Sequence, residues 1–102
     1  MKFFDWNVRK NEELKAERDV GFEDVVFSIM QDGLLDIVEH PNKQRYPDQR
    51  VFIVRIENYV YLVPFVEEEK VIFLKTIIPS RKMTKKYLGE KDEDKKGRKR
   101  TS

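Results

Sequence analysis

The sequence predicts an α+β domain: two N-terminal helices, a four-stranded and mainly antiparallel sheet, a C-terminal helix and a charged tail. Three observations predict it. Phe22, Val25, Val26 and Ile29 recur at i, i+3, i+4 and i+7, the spacing of a core-facing helical stripe. Three runs rich in Val, Ile, Phe, Tyr and Leu follow in the second half, joined by short polar connections, which is the pattern of a meander. Helical segments kept apart from the run of strands belong to α+β architecture rather than to an alternating α/β sheet.

The elements follow in order. Asn7 is placed to cap a helix over Val8–Arg18, whose few apolar anchors, Val8 and Leu14, put it on the surface. Gly21 breaks it. The second helix covers Phe22–Gln31, with Gly33 as its stop signal. Leu34–Glu39 reads as a short first strand, and His40–Gln49 as a polar loop framed by Pro41 and Pro47. Val51–Glu57, Tyr59–Val66 and Val71–Ile78 are the remaining strands. Pro79 ends the last one, and Ser80 is a suitable N-cap for a third helix over Arg81–Leu88. From Glu90 onward no apolar residue occurs, so 1–89 reads as one domain and 90–102 as a disordered charged tail. Trp6 is expected to pack at the core or its rim.

Composition narrows the function classes. The 102 residues suit a single domain. No apolar run reaches the roughly 18 residues needed to cross a bilayer, and the first residues lack the apolar stretch of a secretory signal. There is no cysteine and one histidine, which leaves no thiolate or His-rich metal site. The expectation is a cytoplasmic protein with no metal, no cofactor and no membrane partner. Net charge is only +2, but residues 1–74 carry 10 Lys and Arg against 15 Asp and Glu, while residues 75–102 carry 11 against 4. An acidic body with a basic end hints at a polyanionic partner.

That basic end is the candidate site. A helix N-terminus favours acidic side chains, yet the first turn here holds Arg81 and Lys82, with Met83 where a capping box would have Glu or Gln. A bound phosphate would account for the arrangement; an ordinary solvated basic face is the alternative. Lys85 and Lys86 lie one turn on, while Met83 and Tyr87 would face the sheet. If Asn58-Tyr59 and Glu68-Glu69 are two-residue turns, Arg55 pairs opposite Leu62 and Leu62 opposite Lys75. Arg55 and Lys75 would then stand about 10 Å apart on one face and could flank a phosphate. His40, the only side chain of the type that changes charge near neutral pH, shares the long loop with Arg45 and Tyr46. Glu67-Glu68-Glu69 reads as a solvated turn. No Gly-rich phosphate loop or nucleophile elbow occurs.

Phe4-Asp5-Trp6-Asn7 followed by Lys10-Asn11, then Val20-Gly21-Phe22-Glu23-Asp24-Val25, resembles the opening of BrnT-family toxins. Ile77-Ile78-Pro79-Ser80-Arg81-Lys82-Met83-Thr84 is similar to that family's final strand and the start of its last helix. The resemblance spans roughly residues 3–88. It implies a RelE-like fold and a metal-independent endoribonuclease toxin of a type II toxin–antitoxin pair. The implied partners are an RNA substrate, a BrnA-like antitoxin that neutralises the toxin, and operator DNA reached only through that antitoxin. On this resemblance Arg81 and Lys82 hold the scissile phosphate; beyond it, the expectation for a nuclease here is that Lys75 and Arg55 stabilise developing charge and that His40, Tyr46 or Tyr87 moves protons. Lys85, Lys86, Arg45, Tyr46 and Tyr87 would contact RNA. Arg18 stands where many members carry a histidine, and Lys75 is the basic residue where many carry arginines near Leu74 and Thr76. A non-catalytic nucleic-acid- or protein-binding module, or a degenerate toxin that only binds an antitoxin, is the alternative.

Overall fold

A computed structural model describes residues 2–89 of the chain. It is α+β, with helices on a mixed sheet that contains more strands than the sequence predicts. The order is β1 (Phe3–Trp6), α1 (Val8–Arg18), α2 (Phe22–Met30), β2 (Leu34–Glu39), β3 (Gln49–Ile56), β4 (Tyr59–Glu67), β5 (Val71–Leu74), β6 (Ile78–Pro79) and α3 (Arg81–Thr84). A π-helical turn, Lys85–Gly89, follows α3. The sheet runs β1-β5-β4-β3-β2, with β6 paired to β4. The charged segment 90–102, read from sequence as a disordered tail, lies outside the described residues.

Two corrections concern strands. The sequence does not predict β1. It pairs in parallel with β5, Phe3 opposite Val71 and Trp6 opposite Leu74, which makes an otherwise antiparallel sheet mixed. Four residues, Phe-Phe-Asp-Trp, are too few to show a period; what makes them a strand is a partner 68 residues away. The expected strand Val71–Ile78 is two. β5 ends at Leu74, and the chain rejoins β4 only at Ile78 and Pro79, opposite Leu62 and Tyr61.

The helices begin as their caps dictate. Asn7 accepts the Lys10 N–H at 2.9 Å, and the Asp24 carboxylate accepts the Gly21 N–H at 2.8 Å. α2 stops at Met30, one residue short of the expected end. The left-handed position there is Asp32 (φ 70°), not Gly33. Gly33 is needed for close approach instead: its N–H donates to the Ser28 carbonyl at 2.7 Å and its carbonyl accepts the Arg55 N–H at 2.8 Å. A Cβ at Gly33 would collide with the Ser28 hydroxyl.

The core lies between the two long helices and one face of the sheet. Leu14, Phe22 and Val25 pack on Phe52, Val54, Val63, Phe65, Leu74 and Ile77. Phe52 and Phe65 stack with centroids 3.9 Å apart, and Trp6 stacks on Phe22 at 5.7 Å, the rim role expected of it. Val51 and Ile53 on the other face are buried as well, so β3 carries four consecutive buried residues rather than an alternation.

Candidate functional site

The strand–helix junction is fixed to the sheet by backbone and hydroxyl bonds. Ser80 continues the ladder past β6, its N–H donating to the Val60 carbonyl at 3.0 Å. Ser80 Oγ accepts the Met83 N–H at 3.1 Å, as an N-cap does. Thr84 closes the turn from below: its hydroxyl donates to the Ser80 carbonyl at 2.7 Å and accepts the Val60 N–H at 2.9 Å. Both outward groups of Val60 are thus committed to this turn. Met83, Thr84, Tyr87 and Leu88 are half-buried, while Arg81, Lys82, Lys85 and Lys86 project into solvent. Among the described residues neither Arg81 nor Lys82 has an ion-pair partner.

The expected helix Arg81–Leu88 is corrected to a four-residue α-turn running into the wider π-helical turn. A helix so short has little macrodipole, so the cost of placing cations at its start is smaller than the sequence suggested. What distinguishes the junction is two adjacent cations, unpaired among the described residues, on a rigidly tied turn.

The predicted strand register is also overturned. The hairpin turn is Glu57-Asn58, with Glu57 at φ 58°, so Ile56 pairs with Tyr59 and Arg55 with Val60. Lys75 donates its N–H to Pro64, which pairs with Val51. Arg55 therefore lies four residues along β3 from the level of Lys75, about 13 Å, and the two do not flank one point. Arg55 is instead level with Val60 and Ser80, about 10 Å from Ser80 across β4. Its Nε donates to the Glu57 carbonyl at 3.0 Å. The Lys75 ammonium lies 5.3 Å from the centre of the Phe73 ring.

His40, Arg45 and Tyr46 gather at the far end of the sheet. His40 and Tyr46 rings lie 4.6 Å apart, and the Arg45 guanidinium lies 5.4 Å from the Tyr46 ring. His40 Nδ1 accepts the Asn42 N–H at 3.0 Å, which ties it to its own loop. That loop enters β3 beside Arg50, and from there to Arg55 is about 17 Å of strand. Of the sequence-predicted residues, Arg81, Lys82, Lys85, Lys86, Tyr87 and Arg55 share one end of the sheet; Lys75, His40, Arg45 and Tyr46 do not.

Sequence reasoning missed two features at this end. The Arg18 guanidinium donates to the Ile77 carbonyl at 2.6 Å, joining the end of α1 to the segment leading into β6. No local pattern announces a bond spanning 59 residues. Tyr59 and Tyr61, with ring centres 5.5 Å apart, stand beside the junction; Tyr61 pairs with Pro79. Burial, then the neighbouring Tyr59, Glu57 and Asp24, push the Tyr61 phenol up from its ordinary value.

Among the described residues no group of three or more His, Asp or Glu is placed to hold a metal ion, and no helix is long and apolar enough to cross a membrane. No family model, curated protein or solved structure matches the chain.

Proposed function

We propose that the chain is a BrnT-like, metal-independent endoribonuclease toxin with a RelE-like fold, neutralised in the cytoplasm by a BrnA-like antitoxin through which alone it reaches operator DNA. The sequence resemblance at both ends of residues 3–88 supports the family. The observation that carries the site is the tied junction, with Arg81 and Lys82 solvent-facing and Arg55 level with it across β4. In this reading Arg81 and Lys82 hold the scissile phosphate by charge-assisted hydrogen bonds. The RNA 2′-hydroxyl loses its proton and its oxygen bonds to phosphorus. The phosphorus–O5′ bond breaks, the O5′ takes a proton, and a 2′,3′-cyclic phosphate remains. Arg55 stabilises the charge that develops. Tyr87, on the π-helical turn that follows α3, is the candidate proton carrier at this end.

Expression in a bacterial host tests the reading. Growth should stop, total RNA should fragment, and co-expression of the neighbouring antitoxin should restore growth. Normal growth and intact RNA with folded protein present would overturn it. One observation favours the non-catalytic alternative: the only histidine stands at the opposite end of the sheet, bonded within its own loop. Under that reading the same junction binds RNA, and binding weakens steeply with salt without cleavage.

A further inference from the structure

On the α2 side of the sheet, where Gly33 crosses Arg55, lies an open hollow of about 450 Å³. Its lining holds three carboxylates, from Asp24, Asp32 and Glu57, against one guanidinium, Arg55, which is turned toward the Glu57 carbonyl. The hollow is therefore net acidic although the chain as a whole is basic. Phe27, which lines the hollow, is 67 % exposed, and Met30, outside the lining but three residues on along α2, is 73 % exposed. A fold with a small core does not leave a phenylalanine and a methionine side by side in water for stability's sake.

We propose that this hollow is the docking surface for an arginine-bearing, amphipathic segment of a protein partner. Charge complementarity selects the occupant. A cation entering the hollow meets three carboxylates, and a guanidinium fork can take two acceptors at once while its plane lies on the Phe27 ring. The apolar side chains that alternate with the arginines cover Met30 and the rest of the Phe27 ring. RNA is disfavoured here, because its phosphates would face the carboxylates. The inference needs neither RNA nor Arg81 and Lys82; Arg55 is the one residue it shares with the nuclease reading.

The test uses the full chain and a fluorescein-labelled twelve-residue peptide of alternating arginine and leucine, read by anisotropy. Asp24→Asn/Asp32→Asn/Glu57→Asn should weaken binding by about tenfold or more, and Phe27→Ala/Met30→Ala by a comparable factor. A charge-matched control elsewhere, Glu12→Gln/Glu13→Gln/Glu68→Gln, should change it by less than about twofold. The Asp24→Asn substitution keeps an oxygen for the Gly21 N–H. Should the triple variant melt early, Asp32→Asn/Glu57→Asn carries the same test, because asparagine tolerates both left-handed positions. No binding, or equal loss in the control, overturns the proposal. So does a dimer that the triple substitution dissolves, which would make the occupant a second copy. Binding that emerges only after residues 90–102 are removed would assign the hollow to the chain's own basic segment and overturn it as well.

Discussion

Replacing Arg81 and Lys82 together by alanine isolates what the junction contributes to RNA binding. Both side chains are exposed, and the turn is held by Ser80, Thr84 and Val60 through groups that the substitution leaves in place. The stability change should stay within about 0.5 kcal/mol, as for surface substitutions generally. Binding should change in a defined way. Each phosphate contact to a single strand contributes about 0.7 to the slope of log affinity against log salt, so losing two contacts flattens it by about 1.4. Over a fourfold rise in salt, from about 50 to about 200 mM, the unaltered protein should lose roughly sevenfold more affinity than the variant. Anisotropy with a 2′-O-methyl RNA measures this cleanly, because the probe lacks the nucleophile and stays intact. An unchanged slope in a variant with an unchanged melting curve would remove Arg81 and Lys82 from the site.

Three further outcomes concern the frame around the site. Gly33→Ala forces a methyl group against the Ser28 hydroxyl, with the Ser28 and Arg55 carbonyls at 2.8 and 2.9 Å. Overpacking and the lost Ser28–Arg55 bond should together cost about 2–4 kcal/mol, read by denaturant unfolding. Asn11→Ala removes the acceptor of the buried Phe22 N–H, at a cost of about 1–3 kcal/mol. It also removes the hydrogen bond that, ahead of Lys15, holds the Glu23 carboxyl below its ordinary range. A depressed carboxylate stabilises the fold above its unfolded value and loses that contribution as pH falls through the folded one. The variant should therefore lose less stability than the unaltered protein on acidification, which unfolding curves at about pH 6 and about pH 3 would show. Thr84→Val leaves the Val60 N–H without its hydroxyl partner and should cost about 1–3 kcal/mol, with Thr84→Ser restoring most of it.

What was legible in the sequence was local. The Val8–Arg18 helix, its Asn7 cap, the α2 stripe, the Ser80 cap and the existence of β2, β3 and β4 all follow from spacing and capping chemistry within a few residues. What was not legible depended on partners far along the chain. Phe3–Trp6 is a strand because β5 lies beside it, and Arg18 at the end of α1 meets the Ile77 carbonyl, 59 residues on, just before β6. The register shows the limit most sharply. Asn58-Tyr59 and Glu57-Asn58 are both plausible turns, and only the second puts Glu57 at positive φ with Ile56 opposite Tyr59. That choice moves every pair by two residues. It keeps Arg55 on the same face but slides it away from Lys75 and toward Ser80. The basic patch was thus visible as composition, while its membership required the fold.

The two proposed surfaces meet at one residue pair. Arg55 turns its backbone toward the hollow, its N–H to Gly33 and its carbonyl to the Ser28 hydroxyl at 2.5 Å. Val60, its partner across the hairpin, turns its own backbone the other way, to Ser80 and Thr84. A segment seated in the hollow would therefore lie about 10–15 Å from the phosphate-binding turn, two to three strand spacings away. If both proposals hold, how such a partner blocks RNA is constrained by sign. An arginine-bearing segment adds positive charge near the turn, and at physiological salt that field decays over about 8 Å, so electrostatics alone would draw RNA closer or leave it unaffected. Exclusion must then come from bulk. The free arginine–leucine peptide should leave affinity for 2′-O-methyl RNA unchanged or slightly raised, whereas the same peptide fused to a folded carrier domain should compete with the RNA. Competition by the free peptide at saturating occupancy of the hollow would show that the two surfaces overlap, and the separation argued from the Arg55–Val60 pair would fall.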